Sequence, residues 1–469
     1  MNRLKDLTGR TAVAGPLALL ALAPSEARAA APKRPNVIVI MTDQQTAGAL
    51  SCAGNPYVST PAMDALAADG VRFTRAYCPY PLSGPCRASL ITGRMPSEVG
   101  ATDNAIRPND EDMRQGIGIR MSEAGYECLY AGKWHVPEVN LPAEGTGFRG
   151  IAKMHDPTLA DACDEALGAY DGRKPLFLVA SLLDPHEICE YGRFETLQYG
   201  ELEPFATEDC PNLPANFMPS TFEAEAIRLE HDASPRYHDT YTYTQDDWRR
   251  YLYAYYRLVE RVDREIGRLI EVLKRHGLYD DAAIVLLSDH GDGVAAHRWN
   301  QKWALFEEVV NVPLIVKSPK GRGLAGAVND EALSNIGLDL YATVCDYAGI
   351  RLDPERYRGR SLRPVAEGRQ RTLHEEVFIE TLLSGVGIQG WSVVEGDYKY
   401  VFYRWGRNRE QLYDLRSDRG EMVNLAVDRR HAATLARLRA KMYDWAVKTN
   451  TAPLIRNLES LVNETENHE

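Results

Sequence analysis

Short, unbroken apolar runs recur along the chain and place the strongest limit on how it can fold. They lie at residues 35–43, 126–131, 176–183, 282–288 and 312–316. Runs of this length that do not alternate with polar residues are typical of strands buried on both faces. The runs therefore predict a sheet that lies between two layers of helices.

Amphipathic helical patterns separate these runs. The most regular spans residues 248–276, where apolar side chains recur at steps of three and four residues. Thr244 or Asp246 is placed to cap this helix and Gly277 to end it, and Thr60 is placed to cap a helix after the first run. The alternation predicts an α/β fold with one large, mostly parallel or mixed sheet sandwiched by helices.

The pattern of predicted secondary structure changes at about residue 372. Beyond it, short strand patterns separated by turn residues precede a helical pattern at about residues 430–447. We therefore expect a catalytic α/β domain over residues 33–371 and a smaller C-terminal subdomain over residues 372–469, built from an antiparallel sheet plus a helix. Residues 187–244 are polar and irregular, which indicates a functional or mobile segment.

Charge and composition exclude some classes of partner. The chain has 469 residues, a formal net charge of −12 and no long block of lysine and arginine. Binding to nucleic-acid phosphates needs a concentrated basic surface, so no nucleic-acid partner is expected. The eight cysteines form no CxxC motif, which argues against a zinc ribbon, and many disulfide pairings stay open.

The beginning of the chain has the pattern of a secretory signal peptide over residues 1–29. Basic side chains between residues 3 and 10 precede an apolar stretch at 11–24, and Ala27-Arg28-Ala29 fits a small-x-small cleavage site. No later segment approaches the ~18–20 apolar residues that span a bilayer. We expect an exported protein, periplasmic or secreted, without a membrane span; a cytosolic leader is the alternative.

The segment at residues 83–94 reads Ser-Gly-Pro-Cys-Arg-Ala-Ser-Leu-Ile-Thr-Gly-Arg. It resembles the signature of the type I sulfatases of the alkaline-phosphatase-like superfamily, in which Cys or Ser is followed by x-Pro-x-Arg and x-x-Leu-x-Thr-Gly-Arg. In that family the first residue is oxidised to formylglycine (3-oxoalanine) by a separate enzyme. The resemblance implies that Ser83 is this residue and that a serine-type maturase is a partner. Cys86 stands where the family often has Ser.

An aldehyde at position 83 has a chemical rationale. An ordinary serine that attacked sulfur would leave a sulfate ester that is hard to hydrolyse. A hydrated aldehyde carries two hydroxyls, so one attacks sulfur and the other then loses its proton and expels sulfate, which divides one difficult step into two. The alternative is a structural turn that opens a helix at Ser83.

Two polar pairs that follow predicted strands suit a hard cation. Asp43-Gln44 ends the first run, and Asp289-His290 ends the run at 282–288. The carboxyl ends of parallel strands meet at one edge of a sheet, and carboxylate and amide oxygens favour Ca²⁺, with Mg²⁺ as the alternative. Residues 287–291 resemble the sulfatase metal motif, which implies Asp43, Gln44, Ser83, Asp289 and His290 as ligands. The family often has two acids at the first pair, and strand-ending acids also serve as helix caps.

Further resemblance implies a set of positive and proton-carrying side chains. Lys133 and His135 lie in a Gly-Lys-Trp-His segment, and His186 closes an Asp-Pro-His segment. The family's pattern makes Lys133 a ligand of formylglycine and sulfate, His135 the partner of the second hydroxyl, and His186 a sulfate ligand and acid for the leaving group. Lys302 would bind sulfate and support the leaving group, and Arg87 would orient residue 83.

Together these features predict a sulfuric ester hydrolase that acts on an exported sulfated carbohydrate. The segment at 187–244 could form a wall for sugar rings, and His297 could line the pocket or cap a helix. Two alternatives stay open: a phosphonate or phosphate monoester hydrolase of the same superfamily, and an inactive glycan-binding relative. Turnover of nitrophenyl sulfate against nitrophenyl phosphate diesters distinguishes the enzymatic alternatives.

Overall fold

The apolar runs form the inner strands of a large central sheet. The computed structural model describes residues 34–466, apart from residues 139–140, 143, 234–239 and 241, so the predicted signal peptide lies outside the described residues. In chain order the strands are β1 Asn36–Asp43, β2 Val71–Phe73, β3 Ala76–Tyr77, β4 Glu127–Gly132, β5 Arg149–Ala152, β6 Leu176–Pro185, β7 Ala282–Ser288, β8 Leu314–Lys317, β9 Ala327–Asn329, β10 Ser334–Asn335, β11 Glu376–Leu383, β12 Ile388–Glu395, β13 Tyr398–Tyr403 and β14 Glu410–Asp414.

The helices fill the connections between these strands. In chain order they are α1 Pro61–Ala68, α2 Ser83–Thr92, α3 Pro96–Val99, α4 Asp110–Met113, α5 Ile117–Glu123, α6 Asp156–Gly168, α7 Ile188–Gly192, α8 Glu225–Ala233, α9 Gln245–Arg275, α10 Glu307–Val310, α11 Ile336–Ala348, α12 Arg363–Ala366, α13 Ala432–Lys448 and α14 Ala452–Glu466. None of the described helices is long and apolar enough to cross a membrane.

The central sheet has eight strands in the order β5-β4-β6-β1-β7-β8-β2-β9. The strands β5, β4, β6, β1 and β7 are parallel to one another. Strand β8 is antiparallel to β7 and to β2, and β9 pairs with β2 in parallel. The sheet is thus mostly parallel with a mixed edge, as the sequence predicts.

The two faces of the sheet carry two separate hydrophobic cores. Val37 and Val39 of β1 point into a core that also holds side chains of α2, α5 and α11, whereas Ile38 and Ile40 point into a core that holds side chains of α1, α6 and α9. Burying each such side chain contributes about 1.5–3 kcal/mol. This alternation explains why the strands are apolar at every position.

Helix α9 is the longest element and begins with a capping box. Thr244 Oγ1 accepts a hydrogen bond from the Asp247 amide at 3.2 Å, and the Asp247 carboxylate accepts one from the Thr244 amide at 2.8 Å. Thr244, rather than Asp246, is therefore the cap. Thr60 lies at the N-cap position of α1, as predicted, but its hydroxyl makes no capping hydrogen bond, because it accepts from the Ser51 amide at 3.0 Å and donates to the Asp64 carboxylate at 3.0 Å.

The segment at 187–244 packs against the first half of α9. It contains α7, α8 and a short 3₁₀ turn, and Ile188, Leu197 and Phe217 share a core with Trp248 and Tyr251 of α9. The irregular sequence pattern thus corresponds to short elements that pack against a long helix.

Strands β11 to β14 form a separate antiparallel sheet of four strands. Trp391, Tyr400 and Phe402 of this sheet pack against Leu438 and Met442 of α13. The predicted antiparallel sheet plus helix is confirmed, while the boundary between residues 371 and 372 stays a proposal. All eight cysteines, which lie in the described part of the chain, are free thiols.

Candidate active site

Four neighbouring parallel strands bring the predicted polar segments to one edge of the sheet. Strands β4, β6, β1 and β7 are adjacent in this order. Their carboxyl ends lead directly into Lys133, His186, Gln44 and Asp289. Loops that follow parallel strands at such an edge are the usual position of a ligand site.

Ser83 is the first residue of α2 and lies at the centre of this edge. Its side chain is buried, and its Oγ lies 3.0 Å from His290 Nε2 and 3.3 Å from Asp43 Oδ1. The next amide, of Gly84, donates to the Asn104 side chain at 2.8 Å, which fixes the start of the helix. The amino end of a helix favours negative charge, so this position suits an anionic oxygen.

Arg87 lies one turn further along α2 and connects the two predicted carboxylate ligands. Its guanidinium contacts Asp43 Oδ2 through Nη2 and Asp289 Oδ2 through Nε, each at 2.9 Å. Its Nη1 also donates to the Lys133 carbonyl at 2.8 Å and to Ser181 Oγ at 2.7 Å. Because Arg87 is only 1% exposed, it acts as a buried bridge that holds the two acids close to Ser83.

Asp43, Asp289 and His290 form a group of residues that fits a divalent cation. Their ligand atoms lie within 4.8 Å of one another, and all three residues are buried. His290 Nδ1 lies 2.9 Å from the Gly291 carbonyl, which can only accept, so Nδ1 carries the proton and the lone pair of Nε2 accepts from Ser83 Oγ at 3.0 Å. Burial also lowers the pKa of His290 below its ordinary value and keeps the ring neutral.

The side chain of Gln44 is oriented by two strong hydrogen bonds. Its Oε1 accepts from Lys302 Nζ at 2.8 Å, and its Nε2 donates to Asp292 Oδ2 at 2.8 Å. Its backbone is in the left-handed region, with φ of 68°, and its amide donates to Asp289 Oδ1 at 3.1 Å. Gln44 therefore joins the site, and its role as a metal ligand stays a prediction.

Lys133 and His135 follow β4 on the other side of Asp43. Lys133 Nζ lies 2.7 Å from Asp43 Oδ2, and burial lowers the pKa of this lysine. Burial and the nearby Lys133 and Arg87 lower the pKa of His135 to about 3, so its ring is neutral. Its buried Nδ1 makes no hydrogen bond within the described part of the chain, which leaves it available to a ligand.

Lys302 and His186 form a second pair of basic groups. Lys302 Nζ lies 3.0 Å from His186 Nε2 and donates to it, because an ammonium has no acceptor. Burial lowers the pKa of His186 well below its ordinary value, and the charge of Lys302 adds to this effect. His186 is thus a neutral imidazole held beside an ammonium group.

The charges of these groups act on one another. Burial alone would raise the pKa of the Asp43 carboxyl, but the positive charges of Lys133 and Arg87 hold this pKa well below its ordinary value. Asp43 is therefore ionised while the neighbouring imidazoles are neutral. The site combines fixed carboxylates with a surplus of donors, which suits a cation and an anionic ester together.

Two residues that the sequence did not single out also belong to the site. Asp292 is buried, accepts from Gln44 Nε2 and Tyr251, and has its pKa raised by burial to about 6. Cys189 Sγ lies 2.9 Å from Gln301 Oε1. The signal for Asp292 was its position in the same polar run as Asp289, whereas only the tertiary structure reveals the contact of Cys189.

His297 lies outside this cluster. Its ring stacks on Phe306 with 4.1 Å between centroids, and it makes no hydrogen bond that caps a helix. The other ten predicted residues are connected to one another by direct contacts or by the electrostatic effects described above. A buried serine that is surrounded by carboxylates, lysines and neutral histidines defines a hydrolase for anionic esters.

Matches to known families agree with this class. The family model described as Sulfatase matches residues 35–148 and 137–350, and the model described as N-sulphoglucosamine sulphohydrolase, C-terminal, matches residues 295–448. The chain belongs to the sulfatase family, whose members hydrolyse sulfate esters. The predicted family and class of enzyme are thereby confirmed.

Individual relatives span nearly the whole chain. A Delta 4,5-hexuronate-2-O-sulfatase of Bacteroides thetaiotaomicron is 27% identical over 463 residues, covering 92% of both proteins. A choline-sulfatase of Rhizobium meliloti is 27% identical over 455 residues, covering 87% of this chain and 85% of the relative.

Solved structures are similar over the same extent. The structure of a 2-O GAG sulfatase has a TM-score of 0.78 at 27% identity, covering 89% of this chain and 93% of that one. A phosphonate monoester hydrolase from Silicibacter pomeroyi has a TM-score of 0.73 at 22% identity, covering 89% of this chain and 96% of that one. At this identity the second structure shares the fold alone.

Proposed function

We propose that this protein removes sulfate from a sulfated carbohydrate, with Ser83, oxidised to formylglycine, as the nucleophile. The observation that carries the proposal is the position of Ser83 Oγ, 3.0 Å from His290 Nε2 and 3.3 Å from Asp43 Oδ1. Lys133 and Lys302 supply positive charge around this point.

Two added groups complete the chemistry. Formylglycine at position 83 supplies a hydrated aldehyde, so that one hydroxyl can attack sulfur and the other can later lose its proton as sulfate leaves. A divalent cation held by Asp43, Asp289 and His290, with Gln44 and residue 83 as further proposed ligands, supplies charge that polarises the sulfate oxygens. Because most of these donors are oxygens, we propose Ca²⁺, with Mg²⁺ as the alternative.

The residues near β1 and β4 prepare the nucleophile. Arg87 holds Asp43 and Asp289 in place, and Lys133 shares Asp43 Oδ2 with Ser83, at 2.7 Å and 3.4 Å, so its charge can favour an anionic oxygen at residue 83. His135 is neutral and has a free ring nitrogen, so it can accept the proton of the second hydroxyl.

The residues near β6 and β7 act on the leaving group. Lys302 donates to His186 and to Gln44, and both of its contacts lie at the sheet edge where sulfate would enter. An anionic ester beside His186 offsets the positive charge that lowers its pKa, which allows the imidazole to take up a proton. His186 can then donate that proton to the leaving oxygen.

A carbohydrate is the substrate class that the similarities favour. Curated relatives include sulfatases of a hexuronate and of N-acetylglucosamine, although a choline-sulfatase is equally similar. The segment at 187–244 lies beside the site through α7, whose Cys189 contacts Gln44. We propose that this segment forms a wall for sugar rings and that the pattern of residues 1–29 directs export to the periplasm or medium.

The first test is the chemical state of residue 83. Protein produced with a serine-type maturase should yield a peptide that is lighter by two hydrogens than the encoded serine form. Ser83→Ala should lower the turnover of sulfate esters by at least ~10³-fold, because the covalent step is removed. Mass spectrometry and assays with nitrophenyl sulfate and defined sulfated saccharides measure both effects.

A Ser122→Ala variant is the control, because Ser122 is exposed and outside the site. Full sulfatase activity in the Ser83→Ala variant would contradict the mechanism. Faster turnover of nitrophenyl phosphate diesters than of nitrophenyl sulfate would favour the phosphonate hydrolase, and absence of both activities in oxidised protein would favour a glycan-binding relative.

A further inference from the structure

A second group of metal-binding side chains lies in the described residues, outside the catalytic cluster. His297, Glu308 and Glu421 each place a ligand atom within 4.8 Å of the others. We refer to these three residues as the His297 cluster. They come from the loop after β7, from α10 and from the segment after β14, so the fold brings together three distant parts of the chain.

The imidazole of His297 has no partner of its own. The side chain is buried, at 4% exposure, and neither ring nitrogen makes a hydrogen bond within the described residues. One face of the ring stacks on Phe306, which fixes the direction of the nitrogens. A buried polar group that lacks a partner is costly, so a bound ligand is the expected explanation.

The carboxylates of the cluster are also only partly satisfied. Glu308 Oε1 accepts from Asn216 Nδ2 at 2.9 Å, while Glu308 Oε2 has no partner among the described residues. Glu421 Oε2 accepts from the Glu307 amide at 2.7 Å, and its Oε1 lies 2.8 Å from Lys399 Nζ. These contacts thus orient both carboxylates, and Glu308 Oε2 is the oxygen that they leave available to a ligand.

The carboxyl groups at the cluster outnumber the basic groups that contact them. Lys399 Nζ lies 3.1 Å from Glu307 Oε1 and 2.8 Å from Glu421 Oε1, so one ammonium group is shared by two carboxyl groups. Glu308 adds a third carboxyl group, whose polar contact is the amide of Asn216. A set of oxygens with so few basic partners suits a further cation.

An open cavity borders one member of the cluster, Glu308. A cavity of about 750 Å³ is lined by Asn216, Glu307, Glu308 and Gly420, and it does not include the catalytic side chains. Metal sites need such an entry path, and water from the cavity can complete the coordination.

We propose that the His297 cluster binds a second divalent cation, of the zinc type, which has a structural role. One imidazole nitrogen with two carboxylates suits Zn²⁺ better than Ca²⁺ or Mg²⁺, which prefer oxygen ligands alone. The loop from Asp289 to Lys302 contains His297, and five of its non-glycine residues have φ between 40° and 68°. The ion fixes this loop between the catalytic ligands Asp289 and His290 and the catalytic Lys302.

The test measures metal content, which does not depend on turnover. Chelator-treated full-length protein is dialysed against Zn²⁺ in excess Ca²⁺, and bound zinc is determined by elemental mass spectrometry. We expect about one zinc per chain in the wild type and its loss in His297→Gln and in Glu308→Gln. His155→Gln, which removes an exposed histidine, should retain the zinc and controls for surface binding.

Thermal unfolding provides a second measurement on the same proteins. Zinc should raise the Tm of the wild type and of His155→Gln but not that of Glu308→Gln, because a ligand stabilises only the state that binds it. If His297→Gln does not fold, X-ray absorption of zinc bound to His290→Gln protein should still show one imidazole ligand, because that variant removes the imidazole of the catalytic cluster. Absence of zinc in the wild type, or full retention in Glu308→Gln, overturns the proposal while leaving the proposed sulfatase mechanism untouched.

Discussion

At the residue scale, the site is held by buried charges that balance one another. Arg87 is the best example, since one guanidinium contacts Asp43, Asp289 and the Lys133 carbonyl. A planar guanidinium presents several donors in a fixed arrangement, which a lysine cannot reproduce. The position of both acids beside Ser83 therefore depends on one side chain that itself does not need to reach the substrate.

Arg87→Met should destabilise the protein by about 3–5 kcal/mol, because it leaves two buried carboxylates without their shared partner. Urea unfolding of the chelator-treated protein measures the change in the free energy of unfolding. Arg107→Met is the control, because Arg107 and its partner Asp110 are both exposed. Equal stability of the two variants would show that Arg87 does not act as the bridge.

At the element scale, the ends of the strands decide where the functional groups lie. The chain must leave β4 sharply so that Lys133 turns back toward Asp43, and Gly132 has a φ of 94° at this point. A Cβ at Gly132 would overlap the carbonyl oxygen of Ser181 on the neighbouring β6. The close approach of these two strands is therefore possible only with glycine.

Gly132→Ala should lower the free energy of unfolding by at least ~2 kcal/mol, since it combines an unfavourable φ with a steric overlap. Gly172→Ala is a matched control, because Gly172 has a φ of 70° but open space around its Cα. Urea unfolding should show the larger loss for Gly132→Ala. Similar losses in both variants would mean that backbone conformation alone, without the contact to β6, accounts for the effect.

At the scale of the whole molecule, the small antiparallel sheet is tied to the region around the active site by buried acids. Glu380 of β11 accepts hydrogen bonds from Ser97 of α3 through the Ser97 hydroxyl at 2.5 Å and the Ser97 amide at 3.1 Å. Lys399 of β13 also forms an ion pair with Glu307 of α10, at 3.1 Å. The small sheet thus takes part in the stability of the catalytic region.

Glu380 should make stability depend on pH. Burial raises its pKa from 4.5 to about 7, so the folded protein keeps a proton that the unfolded chain releases above pH 4.5. Its contribution to stability is complete below pH 4.5 and is lost as pH rises toward 7, by up to ~3 kcal/mol at ~1.4 kcal/mol per pH unit.

Glu380→Gln should remove this loss, so the variant gains stability relative to the wild type as pH rises from 5 to 8. Urea unfolding at several pH values measures the difference. Glu375→Gln, which changes an exposed acid next to the same strand, should keep the wild-type dependence on pH. A constant difference between Glu380→Gln and the wild type would contradict the prediction.

The sequence by itself determined the class of fold and most of the candidate site. Unbroken apolar runs can be buried only between two layers of helices, and polar residues at the ends of parallel strands must meet at one edge, so Asp43, Lys133, His186 and Asp289 were predictable. The signature at 83–94 identified Ser83 and Arg87 because a local motif fixes their spacing on one helix.

Only the tertiary structure decided which side chains touch. Three features of the site depend on one loop, in which several residues adopt left-handed backbone conformations. They are the hydrogen bond of Lys302 with Gln44, the position of Asp292 beside Gln44, and the separation of His297 from the catalytic cluster. No periodicity records such conformations, because they are imposed by contacts with distant segments such as those of Asn216 and Glu421. Short-range patterns specify strands and helices, whereas the packing of the whole chain specifies the positions of the loop side chains.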